Sequence, residues 1–271
     1  MFKKLLIVAL ITIGVISCAT SPTGRSQFMA ISPEKAISES EKAYLSTVNE
    51  LDQKDQLVND PQLVSRVRNI TGRLVTEAIR MYPKSQRWKW SVAIIDDPET
   101  LNAWCMAGGR MAIYTGIITK LNLTDDELAQ IMGHEIAHAL ANHTAERMSR
   151  AMLINAGLIA AAKLSENNQM VLGGSALAAK LALELPNSRT AETEADRIGT
   201  ELAARAGYNP KAAVTLWGKM AKAGGGGTPE FLSTHPSSKN RSKELGKLAP
   251  QMLQLNPSLK KATIYPIDIV K

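Results

Sequence analysis

A helix that begins at a capping box and carries two histidines one turn apart constrains this chain most. Thr124-Asp125-Asp126-Glu127 has the capping-box pattern, and helically spaced apolar residues predict that the helix continues to about Arg150. Within it lies the segment His134-Glu135-Ile136-Ala137-His138. Side chains four residues apart share a helix face, so both imidazoles can bind one zinc ion through neutral ring nitrogens.

The neighbours of this segment support a metal site over a chance pair. Apolar residues on either side would bury the two histidines, and unpaired polar side chains are costly when buried. Glu135 follows the first histidine, at the edge of the metal. We therefore predict that its carboxylate acts as a general base toward a water molecule.

A third protein ligand is expected on a later helix, because a catalytic zinc keeps one position open. In the segment 192–196, Glu192 and Asp196 share a helix face, whereas Glu194 points elsewhere. We predict Glu192 as the ligand and Asp196 as the acceptor for the ring N–H of His134. A solvated acidic helix face is the alternative for this segment.

Hydrophobic periodicity predicts a mainly helical α+β fold with a small sheet beside the histidine-bearing helix. At 271 residues and 45% hydrophobic, the chain can bury a substantial core, and one domain is expected over 31–271. A strand is predicted over 88–95, followed by two short strands that turn at Gly108-Gly109. Helices are predicted over about 33–57, 62–81, 190–206 and 210–223, with a buried or lid-like helical pair over 151–185. A last helix is expected after the segment 234–236, ending at about 253.

The first residues are predicted to direct export rather than to fold. Lys3 and Lys4 precede an apolar run over 5–16, which matches a signal-peptide core and is too short to span a bilayer. We therefore predict a signal peptide over 1–17.

The run ends at Val15-Ile16-Ser17-Cys18, which resembles a bacterial lipobox and predicts a lipid on Cys18. Ala19 after the cysteine favours the outer membrane. Residues 18–30 are expected to form a flexible tether, because they are rich in Ser, Thr, Pro and Gly. An ordinary secretory signal with a nearby cysteine is the alternative.

Charge and cysteine content narrow the classes of partner. The formal net charge is +7, but Lys and Arg are scattered, so we expect weak attraction to a membrane and no nucleic-acid binding. If Cys18 is acylated, Cys105 is the only other thiol, so no intramolecular disulfide is expected. Cys105 is predicted to be structural.

The sequences HEIAH (134–138) and ETEAD (192–196) resemble the paired HExxH and ExxxD motifs of the family forty-eight zinc metallopeptidases. The resemblance covers roughly residues 30–250, and it implies a gluzincin-type domain with one zinc ion per chain. Family members of inner membranes carry transmembrane helices that this chain lacks, which favours the branch of bacterial envelope lipoproteins. The resemblance also implies an endopeptidase for unfolded or misassembled envelope proteins on the periplasmic side, working in quality control beside the envelope assembly machinery.

By the same resemblance, the segment before the active-site helix would be an edge strand that lines the cleft. An exposed strand edge can hold an extended peptide through main-chain hydrogen bonds, regardless of its side chains. A simple hairpin is equally compatible with these residues. The residues expected to bind substrate are Asn102, Ala103, Gly108, Gly109 and Met111.

Two residues near the C-terminus have open roles. His235 and Arg241 resemble the family's C-terminal His-Pro segment and, with zinc, are the expected donors to the oxyanion of the tetrahedral intermediate. Alternatively, the glycine-rich loop before His235 would let its ring occupy the open zinc position and hold the enzyme latent. His143 would lie off the metal face of a continuous helix, so it is predicted to be a packing or surface residue.

Two other classes of function remain open. A zinc-containing, chaperone-like or binding lipoprotein could hold clients in the same cleft without cleaving them. Its closed metal site would need a fourth protein ligand, which only His235 offers. A peptidoglycan-acting zinc hydrolase is suggested by location alone.

Overall fold

The N-terminal segment folds as a hairpin. The computed structural model describes residues 18–164, 189–223, 230–235 and 240–270. In it, strands β1 (Cys18–Thr20) and β2 (Ser26–Phe28) pair antiparallel. Gln27 is buried, and its side-chain amide donates to the Ala141 carbonyl at 2.8 Å. The expected flexible tether over 18–30 is thus corrected, because residues 18–28 form a hairpin that Gln27 joins to the helical domain.

Two long helices follow, each opened by a capping side chain and a proline at the first helical position. Helix α1 (Pro33–Gln53) begins where Ser32 Oγ accepts from Lys35 N at 3.1 Å. Helix α2 (Pro61–Met81) begins where the Asp60 carboxylate accepts from two backbone amides. The predicted apolar face of α2 is buried, at Val67, Ile70, Leu74 and Ala78.

A mixed sheet of four short strands lies beside these helices. The strands are β3 (Ser91–Ile95), β4 (Ala103–Met106), β5 (Arg110–Tyr114) and β6 (Asp268–Val270). Their spatial order is β4-β5-β3-β6; β4 is antiparallel to β5, and the other pairs are parallel. The predicted hairpin is confirmed, since Gly108 and Gly109 turn at positive φ angles of 86° and 79°. The pairing of β6 was not predicted.

The histidine-bearing helix is shorter than predicted. A short helix α3 (Thr115–Lys120) leads to α4 (Asp125–Leu140), which begins at the capping box formed by Thr124 and Glu127. It ends ten residues before the expected Arg150, because Asn142 adopts a left-handed conformation with φ 55°. Helix α5 (His143–Leu164) begins directly after this residue.

Helix α6 (189–205) crosses α4 at two glycines, where the backbones touch. A Cβ on Gly133 would lie 2.8 Å from Gly199 O, and one on Gly199 would lie 2.7 Å from His134 N. Only residues without a side chain permit this approach. Gly207 lies just beyond the end of this helix with φ 92°, as its predicted role as a C-cap requires. The crossing brings residues 134–138 beside residues 192–196.

The C-terminal part consists of helices α7 (Ala212–Ala223), α8 (Glu230–Thr234) and α9 (Arg241–Leu253). The last helix ends at Leu253, as predicted. Helices dominate and the sheet is small, so the predicted mainly helical α+β class is confirmed. Helix α4 packs against both α2 and the edge strand β4, which places the histidines between the helices and the sheet.

Some predicted features lie outside the described residues. These are the signal peptide over 1–17, the part of the helical pair from 165 to 185, and the glycine loop over 224–227. Among the residues that are described, no helix combines the length and the apolar character needed to cross a membrane.

Candidate metal centre

Three predicted side chains converge where α4 and α6 cross. The Nε2 atoms of His134 and His138 lie 3.1 Å apart. Glu192 faces both, with Oε2 3.2 Å from His134 Nε2 and Oε1 3.3 Å from His138 Nε2. All three residues are buried. A histidine pair one helical turn apart and a carboxylate from a second helix therefore share one point in space.

These distances fit zinc. Zinc with tetrahedral ligands at its usual bond lengths sets the ligand atoms about 3.4 Å apart, close to the 3.1–3.3 Å observed. Burial alone would raise the pKa of Glu192, but the facing imidazoles of His134, His138 and His235 hold it well below the usual range. The donor set is thus an ionised carboxylate and ring nitrogens, which are typical zinc ligands.

Asp196 lies behind His134, as predicted. Its Oδ1 atom is 3.1 Å from His134 Nδ1. A hydrogen bond from Nδ1 to this carboxylate keeps a proton on Nδ1, so Nε2 is the nitrogen that can bind a metal once His134 is neutral. The i, i+4 spacing with Glu192 accounts for this placement, since both side chains leave α6 on the same face.

His143 and Glu194 also lie behind the centre, which the sequence did not predict. His143 Nδ1 is 2.8 Å from His138 Nδ1, and His143 Nε2 is 3.0 Å from Glu194 Oε2. His143 is buried, so the surface alternative for it is wrong. The helix break at Asn142 turns the ring back toward His138, and only the left-handed tendency of asparagine hinted at that break.

Glu135 has a buried carboxylate with a free oxygen. Among the described residues no donor is hydrogen-bonded to Oε1, although His235 Nε2 lies 3.4 Å away. Burial raises the pKa of Glu135, while nearby positive charge and the backbone N–H of Cys105 on β4 act against it. A buried carboxylate with a free oxygen and a raised pKa is suited to take a proton from water.

His235 lies within the cluster as a fourth donor. Its Nδ1 atom is 3.3 Å from His134 Nε2 and 3.1 Å from Glu192 Oε1. The ring stacks on Phe231 with their centroids 4.5 Å apart. The ligand atoms of His134, His138, Glu192 and His235 all lie within 4.8 Å of one another.

Arg241 lies behind Glu192 rather than against the cleft. Its guanidinium donates to Glu192 Oε2 at 3.2 Å and to Asp196, and it lies over the ring of Trp217 at 3.6 Å. The residue is only 4% exposed. In this structure Arg241 orients the two carboxylates, and its predicted contact with an oxyanion stays a prediction.

The predicted substrate segment forms the edge of the sheet. Tyr114 N donates to Asn102 O, and the alternation of an antiparallel pair then directs the backbone groups of Ala103 and Cys105 outward. Asn102 and Ala103 thus lie at the edge, as predicted. Met111 is a correction, because it is fully buried on β5, which is paired on both sides.

The two glycines of the turn are explained by packing. A Cβ on Gly109 would meet the Trp90 ring at 2.5 Å, and one on Gly108 would meet Ile37 at 2.8 Å. Together with their positive φ angles, these contacts account for both glycines without a substrate. Their predicted contact with substrate stays a prediction.

The comparisons with known proteins agree with this geometry. The sequence profile described as Peptidase family M48 matches residues 61–249. The chain is 33% identical over 245 residues to "Metalloendopeptidase OMA1, mitochondrial" of Bos taurus, covering 86% of this chain and 46% of the relative. It is 28% identical over 206 residues to "Beta-barrel assembly-enhancing protease" of Escherichia coli (strain K12), covering 72% of this chain and 41% of the relative. The chain therefore spans less than half the length of these curated relatives. It belongs to Peptidase family M48, whose metallopeptidases use zinc.

Proposed function

We propose that this chain is a zinc-dependent endopeptidase in which His134, His138 and Glu192 hold the metal. When bound, zinc supplies the Lewis acidity that polarises a peptide carbonyl. Glu135 takes a proton from water and passes it to the nitrogen of the leaving amine. The observation that carries this proposal is the buried Glu135 carboxylate, whose free oxygen lies beside the cluster of donors. A purely structural metal site has no need of such a group.

Substrates would bind as extended chains along β4. The outward backbone carbonyls of Ala103 and Cys105 offer acceptors to a peptide strand. The N–H of Cys105 is instead directed at the Glu135 carboxylate. The Asn102 side chain accepts from Ala103 N at 2.9 Å, which shapes one end of this edge. Main-chain hydrogen bonds do not depend on the side chains of the peptide, so this mode of binding suits unfolded proteins of varied sequence.

The proposed substrates are unfolded or misassembled envelope proteins, on the periplasmic side of a bacterial membrane. The lipobox at Cys18 supports a lipid anchor in the outer membrane, and the similarity to the beta-barrel assembly-enhancing protease of Escherichia coli supports work beside assembly machinery. Because β1 starts at Cys18 and the hairpin packs on the domain, such a lipid would hold the domain close to the bilayer. A Cys18→Ser variant should move to the soluble fraction; retention in the membrane would refute the anchor.

Glu135→Gln tests the proposed chemistry. The variant should bind zinc as the wild type does but lose cleavage of casein, because the amide cannot act as a base. Glu77→Gln is the matched control, since Glu77 is a carboxylate of equal burial, 2% exposed, that pairs with Arg80 on α2. It should cleave at the wild-type rate. Equal cleavage by Glu135→Gln and wild type would exclude Glu135 as the base.

A binding lipoprotein without turnover is the second function that an observation favours. His235 completes a set of four protein donors, as a closed metal site would require. If the wild type retains zinc but cleaves neither casein nor any unfolded envelope protein, this function replaces the peptidase. Incubation with purified sacculi separates the third class, because only a peptidoglycan hydrolase would release soluble fragments.

A further inference from the structure

The geometry points to a relay of buried side chains that positions His138 and joins the N-terminal hairpin to the metal centre. Its members are His143, Glu194 and Arg25. This inference rests on the metal site of the proposed function, but it does not depend on proteolysis. None of the three residues is a metal ligand. His143 contacts His138 directly, Glu194 acts on His138 through His143, and Arg25 acts through Glu194.

The first step is the hydrogen bonding of the two imidazoles. Glu194 is an ionised carboxylate and can only accept, so His143 Nε2, at 3.0 Å, carries a proton and donates. A neutral His143 then has its lone pair on Nδ1. His138 Nδ1, at 2.8 Å, must donate to it, which leaves the lone pair of His138 on Nε2. That is the nitrogen that faces His134 and Glu192.

The second step fixes Glu194. Its carboxylate accepts from Arg25 Nε at 3.0 Å and from the Thr23 hydroxyl, both in the turn between β1 and β2. Hydrogen bonds from His143, Ser21 and Thr23 hold the pKa of Glu194 well below its usual range despite burial. The hairpin thus supplies the donors that orient the last member of the relay.

The third step anchors the hairpin to the helix break. Arg25 donates to both oxygens of Glu146 on α5, at 2.9 and 2.7 Å. Gln27 bridges Glu146 and the Ala141 carbonyl, immediately before the break at which α5 begins. The same side chains therefore fix the hairpin and the backbone that presents His143.

Outer groups that orient a ligating histidine are worth about 10- to 100-fold in metal affinity. Replacing His143 with Leu should weaken zinc binding within that range, because His138 Nδ1 loses its acceptor. His143→Asn should stay within about threefold of the wild type, since its Oδ1 atom can accept at the position of Nδ1. Glu194→Ala should resemble His143→Leu.

The hairpin end of the relay is tested with two arginines that share Glu146. Arg25→Ala removes contacts with both Glu194 and Glu146, whereas Arg150→Ala removes one with Glu146 alone. Arg25→Ala should lower zinc affinity at least threefold, and Arg150→Ala should leave it unchanged within twofold.

Zinc affinity is measured on the full chain by competition with a chromogenic chelator, and the stability of the zinc-free protein by urea unfolding. A role in folding alone would lower zinc-free stability without separating the Asn and Leu variants of His143. Equal zinc affinities for those two variants, or for the two arginine variants, would overturn the relay. A wild type that cleaves no casein would refute the proposed function, but the zinc affinities of these variants would still test the relay.

Discussion

The crossing of α4 and α6 at Gly199 gives a sharp prediction for Gly199→Ala. The new methyl group would lie 2.7–2.8 Å from three backbone atoms of α4, about 0.7 Å short of the 3.4 Å at which ordinary contact begins. Backbone atoms within a helix cannot move aside singly, so the two helices must separate. Overpacking of this kind costs about 1–3 kcal/mol of unfolding free energy.

The same separation should weaken zinc binding, because α4 carries His134 and His138 while α6 carries Glu192. Metal–ligand distances tolerate about 0.2 Å, so a shift of about 0.7 Å exceeds that tolerance severalfold. We expect at least a tenfold loss of zinc affinity, or about 1.4 kcal/mol.

Gly218→Ala is the control, because Gly218 is exposed on α7 and a Cβ there would meet nothing within 4 Å. It should stabilise the protein by about 0.5–1 kcal/mol through helix propensity and leave zinc affinity unchanged. Urea unfolding with and without zinc, together with chelator competition, measures both quantities. If Gly199→Ala behaves like Gly218→Ala in both assays, the helices are not in backbone contact and the argument fails.

Three other predictions follow from the site and its helix. Zinc affinity should rise about tenfold per pH unit between pH 7 and 8.5. Hydrogen bonds to Asp196 and Glu192 outweigh burial and raise the pKa of metal-free His134 to about 9, so zinc binding must release that proton. A zinc affinity that stays flat across this range in chelator competition would contradict this. His235→Ala should weaken zinc binding, because the ring supplies the fourth donor, and should raise casein cleavage, because it frees the open metal position. Lower turnover with unchanged zinc affinity would instead support a role of His235 at the oxyanion. No change in cleavage or in zinc affinity would exclude both roles. Thr124→Ala should lower the unfolding free energy by about 1 kcal/mol through loss of the capping box, and an unchanged urea midpoint would show that the cap contributes nothing.

Most of the metal centre could be predicted from local pattern. The spacing in 134–138 predicted that His134 and His138 share a face, and that in 192–196 predicted the same for Glu192 and Asp196, because helix geometry fixes which residues share a face. The hairpin at Gly108-Gly109 was predicted from its two turn glycines. In each case the information lies within a few residues of the chain.

The less successful predictions concern contacts that no local pattern records. The tether became a packed hairpin because Gln27 and Arg25 find partners more than a hundred residues away. The helix expected to reach Arg150 breaks at the left-handed Asn142, and this break brings His143 into contact with His138 and Glu194. Periodicity reports which face of an element is apolar, not which polar side chains will meet across elements.

The sequence by itself determined the elements and the chemistry of the two helical motifs, since both follow from residue type and the period of the helix. Only the tertiary structure decided how close α4 and α6 approach, through Gly133 and Gly199, and that His235 enters the cluster. It also decided that the N-terminal hairpin reaches the centre through Arg25. The physical reason is that a metal site needs donor atoms placed within tenths of an ångström, and that precision arises from packing between segments distant in the chain.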